Sequence, residues 1–252
     1  MSLRPATLRR VFWRCLFLQA AWNRRGMQNL GFAFAIDPAL RELYPDPAAR
    51  LRALERHLGF FNCHPYMAAA IVGGAIQHEE RVARGEEPPG APAAYKATLQ
   101  GPLAAVGDGF FWTALRPFFG ALAAVGALLL GWPAVAAAVA AYNAVHLWLR
   151  WRFFRDGYRH GDEVVLDIRN LALPARAERL RVGAAALCGL AAAVVVVRAG
   201  AALGAEGGLL AAAGAAGGYL ALRRGLPLLW MAYAALAAGA GLGLALAARG
   251  GP

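Results

Sequence analysis

Charged side chains are scarce in this sequence. Asp, Glu, Lys and Arg make up 16% of the 252 residues, whereas roughly 25% is usual in soluble domains, and 59% of the residues are hydrophobic. Between Arg116 and Arg150 none of these four residue types occurs. This composition excludes an ordinary soluble domain and predicts an integral membrane protein.

Cysteine is also sparse, and the sequence lacks catalytic and metal-binding patterns. Cys15, Cys63 and Cys188 form no CxxC pair and no even set, which excludes a disulfide framework and a zinc knuckle. The five histidines lack the spacing of metal ligands, and residues 101–108 lack the GK[ST] ending of a P-loop. Because no nucleophile can be grouped with a base and an orienting residue, a stand-alone enzyme is disfavoured. We expect no catalytic residue, no metal and no cofactor.

Lysine occurs once, at Lys96, so arginine supplies almost all of the positive charge behind the formal net charge of +11. The excess of arginine lies mainly in residues 1–60 and 150–182, beside apolar stretches. This arrangement favours anionic lipid of the cytoplasmic leaflet as a partner and disfavours nucleic acid. Because Arg14 interrupts the first apolar stretch, we also expect no cleaved signal peptide.

Two amphipathic helices are predicted near the N-terminus. Apolar residues recur at helical spacing from Leu8 to Leu16, which is typical of a helix lying at a membrane surface. Asp46 followed by Pro47 predicts the start of a second helix, with arginines such as Arg56 on its solvated side. Residues 67–80 are apolar but too few to cross a hydrocarbon layer of ~30 Å. The prolines at positions 88, 89 and 92 predict a linker.

The uncharged run in residues 116–150 predicts a hairpin. As one straight helix it would be about 50 Å long, which is too long for a single crossing. Gly131, Trp132 and Pro133 divide it into halves of about 20 to 26 Å. Arginines flank membrane segments on the cytoplasmic side, so Arg116 and Arg150 should both lie there. Residues 151–181 would then form a cytoplasmic loop.

Residues 182–252 contain three further apolar segments, at about 182–204, 207–222 and 225–248. Glu206 separates the first two, and Arg223 and Arg224 separate the last two. Crossing out, in and out would place both arginines inside and the C-terminus outside. The predicted fold class is an all-α integral membrane protein. N-terminal interfacial and re-entrant helices in residues 1–115 precede the hydrophobic hairpin and about three C-terminal transmembrane helices.

Polar residues embedded in the apolar first half carry the functional information. Polar groups are costly when they face hydrocarbon, so these should line a cavity or an interface. Amide and carboxylate groups exchange hydrogen bonds with hydroxyl groups, while an indole covers the apolar C–H face of a sugar ring. The predicted sugar-binding residues are Asn23, Gln28, Asn62, His64, Asp108 and Trp112.

Structural roles are the alternatives for the same residues. The carboxylate of Asp108 is equally suited to capping a helix after a turn at Gly107. Asn62 and His64 precede Pro65, where a turn is expected, so they are also candidates for satisfying backbone groups. Trp112 fits a packing or interface role at least as well as a sugar platform.

Four motifs carry a family resemblance. They are WNxxxMQxxGFAF from Trp22, HLxFFNxHP from His57, GPLAxVGDxFFWxxLRP from Gly101 and GYxxG from Gly157. Their order and spacing resemble the IID membrane subunit of the mannose/fructose/sorbose family of the bacterial phosphoenolpyruvate-dependent sugar phosphotransferase system (PTS). The resemblance covers residues 10–170 closely and returns near residue 227.

The resemblance implies a permease subunit of the bacterial cytoplasmic (inner) membrane, multi-pass and without a phosphohistidine. It would pair with a IIC membrane subunit in a hetero-oligomer and translocate a hexose, which soluble IIA and IIB proteins phosphorylate. Arg25 and Gly26 stand where the family has Glu and Arg, and Cys63 stands where it has Thr. These departures leave open an alternative, a degenerate or regulatory scaffold that binds a IIC subunit without transporting sugar.

Overall fold

The computed structural model describes residues 3–227 and divides the chain into two compact units, Met1–Leu187 and Cys188–Pro252. Residues 3–227 are mostly helical and contain no strand. A π-helical segment covers Asp108–Leu115, and a 3-10 turn covers Gly161–Glu163. The helices are α1 (Pro5–Cys15), α2 (Asn29–Leu43), α3 (Pro47–Glu55), α4 (Ala68–Ala83), α5 (Ala91–Gly107), α6 (Arg116–Leu130), α7 (Trp132–His160), α8 (Val164–Asn170) and α9 (Leu173–Arg223).

The two predicted N-terminal helices are present. The apolar stripe of α1 packs into the core of the first unit, where Val11 and Phe12 are buried. Pro47 is the first residue of α3, and the Asp46 carboxylate accepts a hydrogen bond of 2.8 Å from the Ala49 N–H. The structure therefore confirms the predicted cap. An acceptor at this position stabilises the helix because it satisfies a backbone donor that has no partner within the helix.

The core of the first unit is built around α4, which is buried along almost its whole apolar length. Small residues let α4 and α7 approach until their backbones touch. A Cβ added at Gly73 would lie 2.2 Å from the Phe154 carbonyl oxygen, and one added at Gly157 would lie 2.1 Å from that of Ala70. The first glycine of the GYxxG motif is therefore a helix-packing residue.

The turn predicted at Gly107 and Asp108 is wrong. Both residues have helical φ and ψ, and the chain runs as one helical stretch from Ala91 to Leu130 through the π-helical segment. Glycine permits a turn but does not require one. The predicted linker is wrong at its last proline, since Pro92 lies in the first turn of α5. The stretch ends at Gly131, whose φ of +79° favours glycine.

The segment predicted as a cytoplasmic loop, residues 151–181, is mostly helical, and its cytoplasmic location stays a prediction. α7 continues to His160, α8 follows the 3-10 turn, and α9 begins at Leu173. The physical reason is burial, because Phe153, Phe154 and Val164 belong to the same apolar core. Arg150, which was expected to flank the hairpin in the cytoplasm, is only 4% exposed.

Two helical stretches, Ala91–Leu130 and Trp132–Arg198, are long and apolar enough to cross a membrane. α9 is helical apart from Gly204, whose φ is +71°, near the predicted boundary at 204–207. The third predicted C-terminal segment, at 225–248, lies outside the described residues from position 228 onward.

Candidate functional site

The first and second motifs form two loops that are joined by backbone hydrogen bonds. The Gln28 N–H donates to the Phe61 carbonyl over 2.8 Å, and the Phe61 N–H donates to the Gly26 carbonyl over 3.2 Å. Asn23 and Met27 exchange backbone hydrogen bonds of 3.0 and 2.9 Å. Met27 has a φ of +56°, a strained conformation for a residue with a side chain. The pairing of the two loops holds this residue in place.

Two of the predicted sugar-binding residues use their side chains to build these loops. The Asn23 Oδ1 atom accepts from the Gly26 N–H over 2.8 Å, and its Nδ2 atom donates to Asn29 Oδ1 over 2.9 Å. Gln28 is buried, and its amide donates to the Cys63 carbonyl over 2.9 Å and accepts from the Cys63 N–H over 3.0 Å. Their role in the structure is to position the loops.

His64 follows directly and lies against the π-helical segment. Its imidazole is 2% exposed and stacks on Phe111 with ring centroids 5.0 Å apart, while the Trp112 ring is 4.9 Å away. The Nδ1 atom accepts from the Tyr66 N–H over 3.2 Å, but Nε2 has no hydrogen-bond partner within residues 3–227. Burial, assisted by the Arg150 charge, lowers the pKa of His64 to about 3. The ring is therefore neutral at pH 7.

The third motif forms the π-helical segment. Such segments are rare and often occur at functional sites. The residue before this segment is Gly107, and only glycine fits there, because a Cβ would lie 2.4 Å from the His64 Cβ. Asp108 is exposed and makes no capping hydrogen bond, so the helix-cap alternative is wrong. Trp112 is 37% exposed and lies between His64 and the Arg116 guanidinium, which is 5.4 Å from the Trp112 ring.

Asn62 completes this surface. Its N–H donates to Gln100 Oε1 over 3.0 Å, which ties the second loop to α5, and the residue itself is exposed. Burial raises the pKa of the neighbouring Cys63 thiol to about 12, and the nearby Asp108 carboxylate acts in the same direction. The structure therefore brings His64 and Trp112 into ring contact, and Asn62 and Asp108 are exposed on the same two motifs. We call Asn62, His64, Asp108 and Trp112 the polar-aromatic surface.

An inner cluster that the sequence analysis missed continues from His64 into α7. Tyr66 stacks on His146 with centroids 4.4 Å apart, and its hydroxyl is 3.3 Å from that of Tyr142. The Arg150 guanidinium lies 5.4 Å from the Tyr66 ring and donates to the Cys15 carbonyl. Tyr142 and His146 were not predicted because they lie in a long apolar run. Histidine and tyrosine in a charge-free segment were nevertheless a usable signal.

A second missed feature is a buried charged network beneath the loops. Glu79 has a fully buried side chain and accepts from Arg56 Nε over 2.7 Å, from Tyr44 over 2.8 Å and from His57 Nε2 over 2.7 Å. Burial alone would raise the pKa of the Glu79 carboxyl, but the hydrogen bonds from Arg56 and His57 outweigh it and lower the pKa to about 2. The prediction that Arg56 faces solvent is wrong.

The single lysine belongs to this network. Lys96 is buried, with its Nζ atom 3.5 Å from His57 Nδ1, 3.3 Å from the His57 carbonyl and 4.2 Å from the centroid of the Phe32 ring. An ammonium can only donate, so His57 Nδ1 accepts and Nε2 carries the proton that is donated to Glu79. Burial and the Lys96 charge lower the pKa of His57, which keeps it neutral between the two charges.

No group of three or more His, Cys, Asp or Glu side chains suitable for holding a metal occurs in the described part of the chain. What the polar-aromatic surface offers is hydrogen-bond donors and acceptors beside an exposed indole. This chemistry suits recognition of a neutral polyhydroxylated ligand.

Comparisons with known proteins agree with these motifs. The sequence model of the PTS mannose/fructose/sorbose family IID component matches residues 2–211. The mannose-specific EIID component of Escherichia coli K12 is 42% identical over 172 residues, which cover 66% of this chain and 60% of that protein. The fructose permease IID component of Bacillus subtilis is 35% identical over 162 residues, 63% of this chain and 58% of that protein. The chain thus spans about 60% of the length of such curated relatives.

A solved structure shows the same fold. A chain in the cryo-electron microscopy structure of the mannose transporter ManYZ in complex with microcin E492 aligns with a TM-score of 0.61 and 30% identity. The alignment covers 99% of this chain and 98% of that one. With two long apolar helical stretches in addition, the chain is a membrane protein, and it belongs to the mannose/fructose/sorbose family of PTS IID components.

Proposed function

We propose that this chain is the IID subunit of a PTS permease, which pairs with a IIC membrane subunit and binds and translocates a hexose of the mannose, fructose or sorbose type. Soluble IIA and IIB proteins would supply the phosphate, and the chain would lie in the bacterial cytoplasmic (inner) membrane as a multi-pass protein. The observation that supports this function is the polar-aromatic surface, in which Trp112 contacts the neutral His64 ring and Asp108 and Asn62 are exposed on the same two motifs.

The six predicted residues divide into two roles in this proposal. Asn23 and Gln28 have their side-chain amides engaged within the loops, so they hold the site rather than touch the sugar. Asp108, Asn62 and Trp112 are exposed. A carboxylate accepts hydrogen bonds from sugar hydroxyls, an amide does both, and the indole covers the C–H face. Asp108 is the residue on which we expect sugar affinity to depend most.

The structure gives no support to the scaffold alternative at the residues that suggested it. The Arg25 and Gly26 backbone N–H groups both donate to Asn23 Oδ1, over 3.2 and 2.8 Å. The Arg25 hydrogen bond involves a main-chain atom and does not depend on the side chain at that position. A Cβ at Gly26 would lie 2.1 Å from Asn29 Nδ2, so the missing side chain there fits the Asn23–Asn29 hydrogen bond of this loop.

Asp108→Asn tests the proposal in the complex with the IIC subunit. A hydrogen bond to a charged group contributes about 1.5 to 3 kcal/mol, so the substitution should weaken hexose binding roughly 10-fold to 150-fold while the complex still assembles. Binding is measured by calorimetry on the purified complex. Thr113→Val is the matched control, since Thr113 is exposed on the same segment and donates only to the Gly109 carbonyl, over 2.7 Å.

Two results would count against the proposal. Equal hexose affinity in the wild type, Asp108→Asn and Thr113→Val complexes would remove Asp108 from the sugar site. A wild-type complex that assembles with the IIC subunit but binds none of the three hexoses would instead favour the scaffold.

A further inference from the structure

A cleft of about 320 Å³ lies between α1 and the C-terminal part of α7, on residues that the proposed sugar site does not use. Leu8 and Phe154 contribute apolar walls, and Trp151 adds a half-exposed indole. Arg9 and Arg159 stand on the two helices that border the cleft. Its lining is therefore mostly apolar with cations from both sides.

The two arginines carry uncompensated charge. Arg9 and Arg159 are exposed, and neither forms an ion pair with any acidic side chain in residues 3–227. Arg155, which also lines the cleft, shares the Asp156 carboxylate with Arg152, so its charge is offset only in part. The cleft thus presents at least two positive charges next to an apolar floor.

The combination of an apolar floor and two unpaired guanidinium groups selects the occupant. An acidic protein surface would leave the apolar floor without a matching partner, and free phosphate would leave it empty. A phospholipid matches both parts, since guanidinium groups bind phosphate in a bidentate manner and acyl chains pack on apolar walls. The cleft lies at the charged C-terminal end of α7, next to the uncharged residues 132–149 of the same helix.

We propose that the cleft between α1 and α7 is a binding site for an anionic phospholipid. Arg9 and Arg159 hold the phosphate, and an acyl chain lies along Leu8, Trp151 and Phe154. The inference rests on the membrane location in the proposed function but not on sugar binding. The two proposals can therefore fail separately.

The test uses the full chain in its complex with the IIC subunit and native mass spectrometry. Phosphatidylglycerol is compared with phosphatidylcholine as the added lipid. We expect retained phosphatidylglycerol adducts in the wild type, and about a 30-fold loss of affinity in Arg9→Gln/Arg159→Gln, because each cation near a lipid surface contributes about five-fold to six-fold. Arg9→Lys/Arg159→Lys keeps both charges and should retain most of the preference.

The matched control is Arg50→Gln/Arg52→Gln, which removes the same charge from α3. It should bind phosphatidylglycerol as the wild type does, and millimolar inorganic phosphate should not displace the lipid. Equal losses in both double variants, equal binding of the two lipids by the wild type, or displacement by phosphate would overturn the proposal. So would loss of IIB binding in Arg9→Gln/Arg159→Gln with lipid binding unchanged, which would indicate a protein-docking surface. Thermal unfolding of the same samples shows that the variants are folded.

Discussion

Glu79 is the position where a conservative substitution should cost the most stability. Glu79→Gln keeps the size of the side chain but removes the only carboxylate that contacts Arg56 and His57 in the described residues, and leaves Arg56 and Lys96 as buried or half-buried cations. Removing one member of a buried pair costs about 3 to 5 kcal/mol because the other charge stays desolvated. For a chain of this size that corresponds to a fall in melting temperature of about 6 to 20 °C.

The assay is thermal unfolding of the purified complex, followed by intrinsic fluorescence, with Glu86→Gln as the control. Glu86 is exposed, and within residues 3–227 its side chain hydrogen-bonds only to Arg84, so the Glu86→Gln complex should melt with the wild type. Removing Lys96 as well, in Glu79→Gln/Lys96→Met, should recover part of the loss, because one uncompensated cation is gone. A Glu79→Gln complex as stable as Glu86→Gln would refute the assignment of a charged network.

The pH dependence provides a second readout of the same network. The folded pKa of Glu79 is about 2, below the ordinary value of 4.5, so its contribution is complete above pH 4.5 and is lost as the pH falls toward 2. The slope for one such group reaches about 1.4 kcal/mol per pH unit. The wild type should therefore lose stability more steeply than Glu79→Gln between pH 4.5 and 2. Parallel curves would contradict the lowered pKa.

Two further predictions concern packing and topology. Gly157→Val should prevent folding or assembly, since even a Cβ would lie 2.1 Å from the Ala70 carbonyl oxygen. The control, Gly101→Ala, meets open space and should melt with the wild type. Equal expression of both variants as folded complex would refute the close contact at Gly157. A cysteine introduced at position 251 should react with an impermeant maleimide in intact cells, because the basic flanks predict a C-terminus outside. Labelling only after the inner leaflet is permeabilised would make the predicted topology wrong.

Features of the structure that depend on residues close together in the sequence could be predicted from local sequence patterns. The cap at Asp46 could be predicted because the acceptor and its donor are three residues apart. The family motifs, likewise, identified segments that the structure brings together. The charged network could not be predicted, since Arg56 and Lys96 lie 23 and 17 residues from Glu79, and an ionisable residue next to a charged run is normally solvated. Only the packing of α4 against its neighbours buries that carboxylate.

The glycines of the third motif show why the turn predicted at Gly107 is wrong and what Gly107 does instead. Gly101 and Gly109 belong to the same motif as Gly107, where the turn was predicted. In the structure, a Cβ at Gly101 or Gly109 would meet nothing, whereas one at Gly107 would collide with His64, which is 43 residues earlier in the chain. The missing side chain at Gly107 leaves room for the His64 imidazole, which stacks on Phe111. A motif glycine therefore serves the candidate site through the fit between two segments, which no pattern within one segment could show.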